Sequence, residues 1–187
     1  MQDSIQQGLQ ALAMRDVLTR DIAIVCAAAI VYALGAVWLL VLARRRARLT
    51  LTTVARLALL GLGAYLVSKA LTGLVVDPRP YLVAHTRPPI PVARDNGFPS
   101  DHTLLAALFT AGLWWIDRRW LPAFAAGTLL VALGRLGIGA HHTLDVVGSA
   151  LIVAVVAVAI DALPLPRTWN RPILAPLRSS RTPVRSE

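Results

Sequence analysis

Residues 22–43 read Ile-Ala-Ile-Val-Cys-Ala-Ala-Ala-Ile-Val-Tyr-Ala-Leu-Gly-Ala-Val-Trp-Leu-Leu-Val-Leu-Ala, 22 positions without a charge. As a helix they rise about 33 Å, enough to cross a hydrocarbon layer of roughly 30 Å. Arg44, Arg45, Arg46 and Arg48 follow at once, the mark of a span that ends in a basic loop. Four more apolar runs repeat the pattern. The second covers about 51–76, with Arg56 near its start and Lys69 near its end. The third covers 101–116 and stops at Asp117-Arg118-Arg119. The fourth and fifth cover 121–138 and 142–162. The fold class read from this is all-α, a polytopic membrane helical bundle of about five transmembrane helices. In residues 1–20, Ile5, Leu9, Leu12 and Ala13 share one face, which predicts an interfacial amphipathic helix. No short apolar core with a small-residue cleavage site is visible there, so no cleaved signal peptide is expected.

Composition agrees. Of 187 residues 56% are hydrophobic and 16% charged, against about 25% charged in ordinary soluble domains. The single cysteine, Cys26, excludes an internal disulfide and a multi-cysteine zinc site. The net charge of +9 suits nucleic acid or the cytoplasmic loops of a membrane protein. Its distribution decides: the arginines cluster at 44–48, at 118–119 and in the tail from Pro164 (Arg167, Arg171, Arg178, Arg181, Arg185). One topology puts all three clusters in the cytoplasm, and no nucleic-acid partner is expected. The domains follow: 1–163 is one membrane-embedded unit, and 164–187 is a basic Pro/Arg-rich cytoplasmic tail. Residues 77–100 carry six prolines (78, 80, 88, 89, 91, 99), which exclude a regular helix and predict a long outer active-site loop.

The polar residues that spans do not explain collect at that outer end. Lys69, Arg79 and Arg135 put three cations near one place, which predicts an anionic substrate; arginine's planar fork suits a phosphate. Snorkelling to the interface is the bland account, most of all for Lys69. Ser100 occupies the N-cap position of the third helix, where free backbone N–H groups suit a phosphate. His141 and Asp145 are four apart, so Asp145 can orient His141 as a nucleophile, as in catalytic triads. His102 is then placed as general acid. Zinc is disfavoured: adjacent His141 and His142 cannot both face one metal from one helix, and no H-E-x-x-H is present. Neither metal nor cofactor is expected.

These residues resemble the type-2 phosphatidic acid phosphatase superfamily, whose motifs are Lys-x6-Arg-Pro, Pro-Ser-Gly-His and Ser-Arg-x5-His-x3-Asp. Arg79-Pro80 matches the end of the first, Pro99-Ser100-Asp101-His102 the second, and Arg135-x5-His141-x3-Asp145 the third. Three positions depart. Thr72 stands where the motif lysine belongs, with Lys69 one turn earlier; Gly134 replaces the serine of the third motif; Asp101 replaces the glycine of the second. Asp-Pro-Arg-Pro-Tyr from residue 77, Ala84-His85-Thr86, Phe98 to Thr103 and Leu144 to Ser149 are similar to the BcrC-like undecaprenyl pyrophosphate phosphatases. The resemblance implies a plasma-membrane enzyme that removes the terminal phosphate of a polyprenyl pyrophosphate on the outer face, among membrane lipids. In its scheme His141 forms a phosphohistidine, Asp145 orients it and His102 protonates the leaving lipid phosphate. Arg79, Arg135, Ser100 and Lys69 hold the phosphoryl oxygens, and no metal is required. Other lipid phosphates as substrates, or a non-catalytic lipid-phosphate transporter on the same scaffold, are the alternatives. His85 and His142 are left without a role.

Overall fold

A computed structural model describes residues 3–173. The elements are helices: α1 (Ser4–Ala13), α2 (Val17–Ile24), α3 (Ile30–Arg45), α4 (Leu51–Thr72), the single turn α5 (Pro80–Val83), α6 (Asp101–Ile116), α7 (Leu121–Gly137) and α8 (Thr143–Asp161). Among the described residues there are only isolated β-bridges and no strand. α2 and α3 form one rod through a π turn, Val25–Ala29. Four helical stretches, Val17–Arg48, Leu51–Thr72, Arg118–Gly137 and Thr143–Asp161, are long and apolar enough to cross a membrane. α6, with 16 residues, is shorter and runs through the middle, packed on α3, α4, α7 and α8. Its Ala106 and Leu113 are fully buried.

The bundle is apolar outside as well as inside. Leu62, Val155 and Val158 are exposed, as expected of helices whose outer solvent is lipid. Small residues bring the helices together. A Cβ on Gly134 would lie 2.7 Å from the Cβ of Cys26 and closer still to the backbone of Ala27. α7 therefore rests directly on the π turn, and a side chain at position 134 would not fit without a shift.

Polar ties close both ends. At the basic end Arg45 pairs with Asp117, and Arg56 reaches Asp161 at 3.2 Å. The described part of the tail folds back: Ile173 N–H donates to Leu49 O at 2.9 Å and Thr52 bonds Asn170. Arg178, Arg181 and Arg185 lie outside the described residues. At the other end the proline-rich loop is irregular as expected, except for α5, where Pro80 sits at the helix start and its missing N–H costs nothing. Asn96 fastens this loop: its side chain accepts from Asp77 N–H and donates to the carbonyls of Thr72 and Val75.

α1 is amphipathic, but its polar side is not simply wet. Gln6 is buried and donates to Leu136 O at 3.4 Å, on the last turn of α7. Asp3 caps two helices at once. Its carboxylate accepts from Gln6 N–H in α1 and from both the N–H and the hydroxyl of Thr143, the first residue of α8.

Candidate active site

The turn between α7 and α8 delivers His141. Gly139 makes it possible: its φ is +70°, and a Cβ there would meet the Gln10 amide at 2.6 Å. The His141 ring is buried with four polar neighbours. Nδ1 lies 2.9 Å from the carbonyl oxygen of Gly97 and 3.3 Å from Asp145 Oδ2. Nε2 lies 3.0 Å from Arg79 Nη1 and 3.2 Å from Arg135 Nη2. A guanidinium only donates, so Nε2 holds the lone pair and Nδ1 the hydrogen. Burial first, then the charges of Arg135 and Arg79, hold the imidazole well below its ordinary value of 6.5, against the bond to Gly97. The ring is neutral at neutral pH, in the tautomer that aims a nucleophilic lone pair between two guanidinium groups.

The two arginines are buried but differently compensated. Arg79 donates to Asp95 Oδ1 at 2.7 Å and 3.1 Å, and to Ala140 O at 3.1 Å. Asp95 is exposed on the loop, and its carboxyl is held low first by Arg79's hydrogen bonds, burial working against them. Arg135 has no acidic partner among the described residues, and its buried Nε has no acceptor. A buried cation without a counter-ion is costly, so the site is built for an arriving anion. Ser100 is fully buried at the N-cap of α6 but does not cap it; its hydroxyl accepts from Thr103 at 3.2 Å instead. The start of α6 is left open to an anion. Ser149 ties α6 to α8, its hydroxyl lying 3.0 Å from Ser100 O and 2.7 Å from Asp145 O.

Arg79, Arg135, His141 and Asp145 come together in the structure. His102 is half-buried on the first turn of α6, close enough to interact with the charges of Arg135, Arg79 and Asp101. Lys69 is not brought in. It is exposed, with its ammonium 5.8 Å from the centre of the Tyr65 ring. At the motif position, Thr72 donates to Ser68 O and faces Phe98 O. Three residues along a helix turn a side chain by roughly 60°, and that offset separates Lys69 from the phosphate-facing groups. His85 ends α5 in a left-handed conformation and is exposed.

Sequence reasoning missed Gly97, Asp95 and the pair Asp77–His142, whose Oδ1 and Nδ1 are 3.0 Å apart. Gly97 acts through its backbone, which every residue has. Asp95 and Asp77 were visible only as loop acids; their nearness to Arg79 in the same loop was the one available signal.

A buried imidazole with its lone pair between two buried guanidinium groups, at one end of a helical bundle, suits an anionic group such as a phosphoryl. Residues 51–169 match the model of the PAP2 superfamily, and the chain belongs to that family. Over 99 residues it is 36% identical to undecaprenyl-diphosphatase BcrC of Bacillus subtilis (strain 168), covering 51% of this chain and 49% of that protein. The chain thus spans about half the length of that curated relative. No solved structure matches it.

Proposed function

We propose that this protein is an integral membrane phosphatase that hydrolyses undecaprenyl pyrophosphate to undecaprenyl phosphate and inorganic phosphate. The observation that carries the reading is Arg135, a buried cation without an acidic partner among the described residues, whose Nη2 touches the lone-pair nitrogen of His141. The family and the relative's name supply the phosphoryl chemistry and the lipid.

Nε2 of His141 attacks the terminal phosphorus; an N–P bond forms and the bridging P–O bond breaks. His102 gives its proton to the departing lipid phosphate. Nδ1–H stays on the ring, and Asp145 with the Gly97 carbonyl stabilises the positive charge that phosphorylation creates. Arg79 and Arg135 turn from Nε2 to the phosphoryl oxygens, assisted by the open start of α6 at Ser100. Water then attacks the phosphorus and frees His141. The arginine clusters at the opposite end support a site on the outer face of the plasma membrane.

The test uses the purified full chain with terminally labelled undecaprenyl pyrophosphate, phosphatidylglycerophosphate and phosphatidic acid. Fastest release from the pyrophosphate and an acid-labile label on the protein are expected. Preference for a monophosphate would refute the substrate, and label retained by His141→Ala would refute the nucleophile.

A further inference from the structure

Two acids face each other behind the nucleophile. Asp145 is fully buried. Its Oδ2 accepts from the backbone N–H of His142 at 2.8 Å and faces His141, while its Oδ1 has no donor among the described residues. One carboxylate oxygen of Asp77 lies within 4.8 Å of one of Asp145. Oδ1 of Asp77 is 3.0 Å from Nδ1 of His142, and that nitrogen has no well-aligned acceptor. One oxygen of each acid and a ring nitrogen of His142 all lie within 4.8 Å of one another. Like charges at this range cannot both be ionised cheaply. Something positive must sit between them.

We infer that Asp77 is a positioning residue for the phosphoryl transfer: its protonated carboxyl donates to Asp145 and accepts from His142. The part that concerns turnover rests on the function proposed above; the shared proton does not. One chain of donors then satisfies both orphaned atoms. Nδ1–H of His142 donates to Asp77, the O–H of Asp77 donates to Asp145 Oδ1, and Nδ1–H of His141 approaches Asp145 Oδ2. With both oxygens pinned, Asp145 cannot swing away from His141. The two acids together present a single negative charge, matched to the single charge that His141 gains on phosphorylation.

The groups around Asp77 leave this role open. Asn96 and Gly97 engage only its backbone. Arg79, two residues on, spends its fork on Asp95 and His141. Asp3 of α1 adds a further acid across a cavity of about 430 Å³ that Asp77, Val83, His142 and Thr143 also line. Burial first, then the charge of Asp145, raises the Asp77 carboxyl above its ordinary 3.8; His142 works the other way. The competing occupant is a divalent cation held by the two carboxylates and the imidazole.

Asp77→Asn separates these, because an amide keeps one N–H donor and one carbonyl acceptor but cannot hold a cation as a carboxylate does. In the purified full chain, Asp77→Asn should keep kcat within about threefold, whereas Asp77→Ala should lose roughly tenfold or more with KM little changed. The wild type should lose activity as the pH rises through the raised titration of Asp77, where a second negative charge appears beside Asp145; Asp77→Asn should lack that limb. Equal losses in both variants, or wild-type rates in both, would overturn the inference. So would a divalent cation that co-purifies with the wild type and not with Asp77→Asn. Infrared spectra at neutral pH give a readout independent of turnover. A protonated-carboxyl band should be present in the wild type and absent from Asp77→Asn, and its absence from the wild type refutes the shared proton. The band in a protein that hydrolyses no lipid pyrophosphate would sink the proposed function and leave the shared proton standing.

Discussion

His141 is kept uncharged by its surroundings, and this has a stability consequence. Unfolded, its imidazole protonates near 6.5; folded, it does so only at a lower pH. Between those two values the unfolded chain binds more protons, so stability is full above about pH 6.5 and falls as the pH drops through that window. His141→Gln should flatten this part of the dependence of Tm on pH in detergent; an unchanged slope would place the acid sensitivity elsewhere. Lys69 carries the opposite expectation. With its ammonium exposed over Tyr65, Lys69→Met should leave kcat/KM near wild type, whereas removing a true oxyanion contact costs about 10²–10³. A tenfold fall for Lys69→Met would restore it to the phosphate site. At this scale the pairing of His141 with Asp145 was legible from their spacing, although the helix reasoning behind it does not hold: His141 lies in the turn before α8 and reaches Asp145 across the helix start. The carbonyl of Gly97, nearer to Nδ1 than Asp145 is, was not: it comes from 44 residues away in an irregular loop.

The helices set the site through their ends and crossings. Asp3 joins the start of α1 to the start of α8, so α1 is part of the frame around His141. Asp3→Ala should cost about 1 kcal/mol as a lost cap, read as a lower Tm, and should lower kcat by loosening the α7–α8 turn. Unchanged kcat would confine Asp3 to stability. Gly134→Ser restores the hydroxyl of the family motif but forces α7 off the π turn. It should destabilise by about 1–3 kcal/mol, as overpacking does; a Tm equal to wild type would show that the crossing yields. The apolar runs read at 51–76, 121–138 and 142–162 lie within a few residues of the helices Leu51–Thr72, Arg118–Gly137 and Thr143–Asp161, whereas the first, read as 22–43, is part of the longer rod Val17–Arg48 and the third, 101–116, is the shorter α6. The burial of Gln6 was hidden, because a polar residue on an amphipathic helix reads as solvent-facing until its partner, the carbonyl of Leu136, is known.

Across the whole molecule, charge is sorted by end. Arg45–Asp117 and Arg56–Asp161 tie the helices at the end that carries the arginine clusters, and the candidate site around His141 occupies the other. In a Cys26→Ala background, a membrane-impermeant thiol reagent applied to intact cells should label Arg87→Cys and leave Arg118→Cys unlabelled until the membrane is opened. The reverse pattern would invert the proposed orientation. The sorting was legible from the arginines because it depends on where charge can stay hydrated. The contacts of the outer loop were not, since six prolines exclude a helix without saying where the chain goes next.

The π turn at Val25–Ala29 has a consequence for chain length. It holds one residue more than an α-helical turn would. Deleting a single residue from it would let the rod relax into plain α-helix, and because the extra residue is already taken up within the turn, the segments on either side would keep nearly the same rotation. A deletion in the regular part of the rod has no such slack. Each residue advances an α-helix by about 100°, so one residue lost from α2 would rotate everything before it by roughly that angle against everything after it. Asp3 and Gln6 would be carried away from Thr143 and Leu136. In this rod the π turn holds a spare residue, while the count of residues in α2 sets the frame around His141.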